Sequence, residues 1–282
     1  MVTSGPLAGL NKSDKPQQKL DRPRGVLNLP AGKRVPNHWR YLPPADLAPF
    51  VEVFWTVEWD LSEPQLAETL PHPTVHLVLE PGVAELAGPH TARFSRWLEG
   101  RSRVFGAKFR PGGFRPFVKR PLSAFSNRVL PLEEVLGPDA AGLDRRVLAH
   151  ADHAGAVEVL AAFLRAFRPV PDPDAELAAA IAQRIAEDRQ INKVEQLVAA
   201  FGIQPRSLQR LFDDTIGVSP KWVIQRYRLH EAAERIAATA EPAWADIAAD
   251  LGYADQAHFI RDFRKLVGRT PADYHRHLRH LE

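Results

Sequence analysis

Residues 208–220 read LQRLFDDTIGVSP, and residues 259–271 read FIRDFRKLVGRTP. Both stretches follow one pattern: an apolar residue, then arginine and phenylalanine at alternate positions, glycine five places after the phenylalanine, and a final Ser-Pro or Thr-Pro. Arg210 and Arg261 therefore stand 51 residues apart, as do the other shared positions. A repeat that keeps a polar residue in register with the apolar ones predicts two copies of one structural unit.

The first copy predicts a helix-turn-helix. INKVEQLVAAFG (191–202) has apolar residues at helical spacing and ends in Gly202, which suits the end of a helix. The next segment, IQPRSLQRLFDDTIG (203–217), is an amphipathic helix whose leucines and Phe212 share one face. The opposite face carries Arg206, Gln209 and Arg210.

The second copy has the same order. AWADIAADLG (243–252) predicts a helix, Asp255 is expected to cap the next one, and Phe259 and Phe263 are on its inner face. Its outer face carries Gln256, His258 and Arg261. The intervening segment, 220–239, predicts one helix of about 30 Å, close to one turn of B-DNA.

These residues carry a resemblance to a known family. LxRLFxxxxGxSPxxxxxxxRLxxA, followed by DIAxxLGYxDxxHFxRxFRKxxGxTPxxY, resembles the DNA-binding domain of AraC/XylS-type transcription regulators. The resemblance implies double-stranded DNA as partner, with the second helix of each unit in the major groove. It places base readout on Arg206, Gln209, Arg210, Gln256, Ala257, His258 and Arg261.

Chemistry supports base readout, since arginine pairs with guanine and glutamine with adenine through two hydrogen bonds, whereas Ala257 offers only apolar contact, as with a thymine methyl. A single arginine on a helix face is ordinarily just solvated, and it is the matched pair that favours readout. Four more basic residues suit DNA phosphates or ordinary surface charge: Lys221, Arg264, Lys265 and Arg269.

Composition limits the other functions. The chain has 282 residues, 45% of them hydrophobic and 25% charged, with a net charge of +3 and no cysteine. The lack of cysteine excludes disulfides, thiolate metal sites and cysteine nucleophiles. Residues 1–40 hold eight Lys/Arg and two Asp, whereas 189–282 hold 14 basic and 12 acidic residues, so a DNA surface there depends on arrangement. We expect no membrane span and no secretory signal, hence a cytoplasmic protein associated with DNA.

The organisation predicts an α+β chain. A disordered basic tail (1–24) precedes a β-rich domain (25–130), a cupin-like barrel or sandwich, because FVEVFWTVEW, TVHLVLE and RVFGAKF are typical of strands. Residues 131–174 predict a helical coupler and linker, and 175–282 the all-α domain with two helix-turn-helix units.

The β-rich half resembles the cupin-like N-terminal domains of some actinobacterial regulators, through RYLPPADLAPFVEVFWTVEWDL (40–61), LPHPTVHLVLEPG (70–82) and GRSRVFGAKFRPGGFRPFVKRP (100–121). In such regulators this domain senses a small molecule or mediates dimerisation. RPGGFRP (110–116) is expected to be a turn between strands. The residues predicted to contact an effector are Trp55, His76, Arg110 and Arg115.

A metal site is the alternative for this half. His72, His76 and Glu80 are spaced by four, so on one strand they would face the same side. His72 lies between two prolines, however, and the cupin pattern of two histidines one residue apart is absent. We therefore expect no metal and no cofactor.

Together these features predict a sequence-specific transcription regulator controlled by a small-molecule effector, and not an enzyme. One alternative is a DNA binder whose N-terminal domain only dimerises, and another is a metal-dependent cupin-like enzyme fused to a DNA-binding domain. Expected further partners are a second copy in a homodimer and, for an activator, RNA polymerase. We expect no membrane partner.

Overall fold

The computed structural model describes residues 36–279. The predicted tail, 1–24, lies outside the described residues. Within these residues, the strands are β1 Asn37–Tyr41, β2 Val51–Thr69, β3 His76–Glu80, β4 Val83–Ala87, β5 Phe94–Phe109 and β6 Val129–Pro131. They form one antiparallel sheet in the order β1-β2-β5-β3-β4-β6.

Two strands of this sheet are longer than the stretches FVEVFWTVEW and RVFGAKF that predicted them. β2 has 19 residues and β5 has 16, and they pair through most of their length, with Phe54 opposite Ala107 and Trp59 opposite Ser102. The register shifts between Leu61 and Gln65. Such an irregularity lets one long ribbon bend, and β2 continues beyond the stretch that indicated a strand in the sequence.

One face of the sheet packs against helices. Phe54, Leu77 and Phe105 are buried in a core that also contains residues of three helices. These are α1 Leu132–Leu136, α2 Leu143–Leu148 and α3 His153–Ala166. Most of the predicted coupler, 131–174, thus shares its core with the sheet, and the division of the chain at these limits stays a prediction.

The segment after β5 corrects one expectation. RPGGFRP was expected to be a turn between strands, but the turn leads into a short 3-10 helix, Arg115–Phe117, and no strand follows directly. Phe114 and Phe117 turn into the core, which a strand would not allow for both. A side-chain carbon at Gly113 would lie 2.2 Å from the carbonyl oxygen of Phe50, so only glycine fits there.

The C-terminal half is helical, as predicted. Asp172 and Asp255 accept backbone N–H bonds at the starts of their helices, and Gly202 ends a helix with φ of 61°. The helices are α4 Pro173–Glu187, α5 Val194–Phe201, α6 Pro205–Thr215, α7 Pro220–Ala238, α8 Trp244–Asp250, α9 Gln256–Val267 and α10 Pro271–Arg279.

These helices build two separate cores, one for each copy of the repeat. The first core contains Phe212 and is formed by α4, α5, α6 and the first part of α7. The second contains Phe259 and Phe263 and is formed by the rest of α7 with α8, α9 and α10. The two helix-turn-helix units are α5–α6 and α8–α9, and α7 joins them. The predicted α+β fold class is confirmed.

Candidate nucleic-acid interface

The outer face of α6 is exposed where the sequence predicted base readout. Arg206, Gln209 and Arg210 are exposed, whereas Leu208 and Phe212 on the other face are fully buried. Spacing of three and four residues puts the polar side chains on one stripe. The helix begins at Pro205, a residue suited to a first helical turn, so Arg206 projects from its N-terminal end.

The outer face of α9 is exposed in the same way. Gln256, Ala257, His258 and Arg261 are exposed, and they extend from the first turn to the middle of the helix. The Asp255 carboxylate accepts the backbone N–H of His258 at 2.6 Å and fixes this first turn. Both helices thus present polar N-terminal halves, the part that a recognition helix uses.

Two of these side chains already have partners on their own helix. Gln209 Nε2 donates to Asp213 Oδ1 at 2.8 Å, and His258 Nε2 lies 3.2 Å from Asp262 Oδ2. Contact with a base edge requires each to exchange an acidic neighbour for the base. Arg206, Arg210 and Arg261 form no ion pair within the described part of the chain.

The four residues predicted to contact phosphates separate into two groups. Lys221, Arg264 and Lys265 are exposed. Arg269 is partly buried, and its Nη2 lies 3.8 Å from Glu68, a carboxylate of β2 that is 2% exposed. Arg269 therefore faces the N-terminal half.

The four residues predicted to contact an effector do not lie at one site. Trp55 and His76 lie together, with ring centroids 6.3 Å apart, and Trp55 Nε1 is buried with no hydrogen-bond partner in residues 36–279. Arg110 donates to the Ala48 carbonyl at 2.7 Å and Arg115 to the Val118 carbonyl at 3.1 Å. No described contact joins either arginine to the Trp55–His76 pair.

The environment of His76 disfavours a positive charge on its ring. Burial, together with the positive charge of Lys108, lowers the pKa of His76 to about 3. Lys108 is itself paired with Glu52 at 2.7 Å. His76 is thus a neutral imidazole, 3.2 Å from the Thr74 hydroxyl, available for hydrogen bonding and not for charge pairing.

The three residues of the metal alternative do not converge. β3 begins at His76, so His72 precedes the strand, and its Nδ1 lies 2.7 Å from Nη2 of Arg226. Glu80 is buried and pairs with Arg96. Among residues 36–279, no three histidine or acidic side chains lie close enough together to hold a metal ion.

The sequence did not reveal Arg226 as a special residue. It is 3% exposed, although it lies in the middle of α7, and its Nε donates to the Pro71 carbonyl at 2.6 Å. Burial lowers its pKa to about 10. RYRLHEA looks like an ordinary amphipathic helix, so only the contact with the N-terminal half gives Arg226 its role.

Comparison with known proteins agrees with this geometry. A family model described as "Helix-turn-helix domain" matches residues 197–277, and "Domain of unknown function (DUF6597)" matches 39–131. The regulatory protein SoxS of Escherichia coli (strain K12) is 35% identical over 91 residues, which cover 32% of this chain and 83% of SoxS. The chain belongs to the AraC/XylS family of transcription regulators.

Two other relatives match over smaller shares of their length. The transcriptional activator RclR of Escherichia coli (strain K12) is 30% identical over 105 residues, or 37% of each protein. The regulator YtdP of Bacillus subtilis (strain 168) is 32% identical over 88 residues, and the match spans only 11% of YtdP. These similarities support the family and leave the whole protein's partners to be proposed.

Solved structures are similar at low TM-scores. The C-terminal domain of AraT from Geobacillus stearothermophilus has a TM-score of 0.33 at 25% identity, covering 38% of this chain and 86% of that one. ToxT from Vibrio cholerae has a TM-score of 0.38 at 13% identity, covering 86% of this chain and 98% of ToxT. Both scores are too low to carry an argument about this AraC/XylS-type regulator. Within residues 36–279, no helix is long and apolar enough to cross a bilayer.

Proposed function

We propose that this transcription regulator reads double-stranded DNA with α6 and α9 in two successive turns of the major groove. The observation that carries the proposal is the matched pair Arg210 and Arg261. Both are exposed on helices whose opposite faces are buried. A packing repeat alone would conserve the buried positions of its two copies and leave the outer ones free to differ.

The length of the linking helix supports binding to two adjacent turns of the major groove. α7 has 19 residues and is therefore about 28 Å long at 1.5 Å per residue. One turn of B-DNA is about 34–36 Å, and the two units extend beyond the ends of α7. One chain can therefore span two half-sites without a second copy.

The two readers are chemically different. α6 offers two arginines and a glutamine, which suits a guanine-rich half-site with one adenine. α9 offers a glutamine, an alanine, a histidine and one arginine, which suits a mixed half-site including a thymine methyl. We therefore expect an asymmetric operator.

The N-terminal domain is the proposed effector-sensing part. The Trp55–His76 pair supports this proposal, because the unpartnered Trp55 N–H and the neutral imidazole could both bond a small polar ligand. Arg110 and Arg115, which donate to backbone carbonyls, would form a separate contact with an anionic group of the effector. The proposed regulator acts in the cytoplasm without enzymatic activity, as a homodimer or alone, and contacts RNA polymerase if it is an activator.

Selection of bound DNA from a random library tests the DNA-reading proposal. The full chain should enrich one asymmetric site with two half-sites about one helical turn apart. Arg210→Ala and Arg261→Ala should each relax one position in a different half-site. Arg101→Ala, on an exposed arginine of β5, is the matched control and should select the parent's site. Enrichment of no common sequence by the parent chain would refute the proposal.

A thermal-shift screen tests effector sensing. A metabolite that binds near Trp55 and His76 should raise the unfolding temperature of the parent and not of His76→Ala. Arg110→Ala is the comparison for the separate arginine contact. No stabilising compound across a broad panel would favour the alternative in which the N-terminal domain only dimerises, which sedimentation would then detect.

A further inference from the structure

The N-terminal domain touches both helix-turn-helix units at the same position of the repeat. This position is the turn that follows each recognition helix, residues 217–220 (GVSP) and 268–271 (GRTP). We call these segments the matched turns. Each begins with a glycine of positive φ, 90° at Gly217 and 85° at Gly268.

The first matched turn receives a hydrogen bond from the N-terminal domain. Ser126, in the segment before β6, donates its hydroxyl to the carbonyl oxygen of Gly217. A side-chain carbon at Gly217 would lie 2.8 Å from the carbonyl oxygen of Leu122. The close approach therefore depends on glycine.

Next to the second matched turn, an arginine of the N-terminal domain bonds the last residue of α9. Arg93 Nη1 donates to the carbonyl oxygen of Val267 at 3.3 Å and also lies 2.6 Å from Glu68. A side-chain carbon at Gly268 would lie 2.3 Å from the Arg93 guanidinium. Glu68 is 2% exposed and also faces Arg269, so a buried carboxylate of the N-terminal domain connects arginines of both domains.

A third contact lies between the two turns. On α7, the residues that pack in the first core extend to Tyr227, and those that pack in the second begin at Leu229. Arg226, next to Tyr227, donates to the carbonyl of Pro71 and lies against His72. The preceding Leu70 is buried in the second core.

These contacts connect the two units through the N-terminal domain as well. No buried apolar cluster of residues 36–279 contains side chains of both α6 and α9. The units are joined by α7, which packs in both cores, and the Asn192 side chain lies close to Gly252. The N-terminal domain bridges both matched turns and the middle of α7. Several attachment points restrict the relative rotation of two bodies more than one connecting helix does.

We propose that the N-terminal domain is a brace that holds α6 and α9 at one separation and rotation. Ser126, Arg93, Glu68 and Arg226 are then positioning residues, which set the spacing of half-sites without touching DNA. This consequence for DNA rests on the proposed function. One base pair moves a half-site by about 3.4 Å and rotates it by about 35°, too far for a rigid pair of readers to follow.

The distance between the two units tests the brace without DNA. Because the chain has no cysteine, Ala199→Cys and Ala249→Cys, at exposed and matched positions of α5 and α8, can carry two spin labels. Pulsed electron paramagnetic resonance should give one narrow distance distribution for the full chain. Ser126→Ala combined with Arg93→Gln should broaden it at least about twofold, because the bonds to Gly217 and to Val267 are both lost.

The control variants separate a loss of the contacts between the domains from a general loss of stability. Ser123→Ala with Arg101→Gln removes the same groups at exposed positions of the same domain and should keep the narrow distribution. If the double variant does not fold, Ser126→Ala alone detaches the first turn and leaves the Glu68 pairs intact. A distribution as narrow as the parent's in a folded brace variant overturns the proposal.

Operator spacing provides the second test. On the selected site with one base pair inserted between half-sites, the parent should bind about 5- to 150-fold more weakly, the loss of one good base contact. The brace variant should lose no more than about threefold, and should still respond to base substitutions within each half-site. Retention of the parent's spacing preference by the brace variant overturns the proposal. Absence of specific binding by the parent refutes the proposed function instead, and the label distances still decide on the brace.

Discussion

Lowering the pH from 7 to 5 should destabilise the folded chain through His76. Burial lowers the pKa of this imidazole from 6.5 to about 3 in the folded state. Between these two values, the unfolded chain binds a proton that the folded chain does not. The contribution of His76 to stability is therefore complete above pH 6.5 and declines as the pH falls towards 3.

The size of the effect follows from the two pKa values. Each pH unit in which only the unfolded side chain is protonated lowers the free energy of unfolding by about 1.4 kcal/mol. Integrated from pH 7 to pH 5, this gives about 2 kcal/mol for His76 alone. Burial also lowers the pKa values of His72 and His230, so these residues change the stability in the same direction.

Comparison of the parent with His76→Gln isolates the contribution of His76 to the pH dependence of stability. Glutamine can keep a hydrogen bond to Thr74 but does not titrate, so the variant should lose about 2 kcal/mol less than the parent between pH 7 and pH 5. Urea unfolding, followed by circular dichroism at both pH values, measures this difference. Thr74→Val is the control, because it removes the hydrogen bond and keeps the imidazole, and its pH dependence should match the parent's. Equal pH dependence of parent and His76→Gln would refute the neutral state of His76 in the folded chain.

Three further perturbations test the DNA-reading domain. Arg210→Ala or Arg261→Ala should weaken the binding free energy for the selected site by about 1–3 kcal/mol and relax the preference at one base position. Anisotropy titrations measure this loss. An equal loss on every DNA sequence would make that arginine a phosphate contact. Phe212→Ala or Phe263→Ala should lower the free energy of unfolding by about 3–5 kcal/mol, because both rings are fully buried. A loss below about 1 kcal/mol in urea unfolding would contradict the burial of these rings in two cores. Lys265→Ala should reduce by about one the slope of log affinity against log salt at unchanged base preference, whereas an unchanged slope would leave Lys265 as ordinary surface charge.

Much of the C-terminal domain could be predicted from short stretches of sequence. Helical spacing, the cap at Asp255 and the glycine at 202 depend on residues within a few positions of one another, so the helices were predicted close to their observed ends. The same spacing separates the outer faces from the cores. The exposure of Arg210 and Arg261 therefore follows from the helical periodicity of the sequence alone.

The N-terminal half was predicted less completely. Alternation indicated the strands, but not that β2 and β5 would continue through an irregularity to 19 and 16 residues. The structure also separates the four predicted effector residues, because Arg110 and Arg115 bond to nearby backbone carbonyls. Which side chains converge on a sheet depends on strand register, and register is set by pairing partners that lie far apart in the chain.

The sequence by itself determined the family, the two helix-turn-helix units and the outer face that the second helix of each presents, because periodicity and helix ends are local properties of the chain. Only the tertiary structure decided how the two halves meet. Arg226 and Pro71 are 155 residues apart, and neither lies in a pattern that predicts their contact. A buried contact between distant segments is selected by shape and charge in three dimensions, and it is through such contacts that the N-terminal half reaches both matched turns.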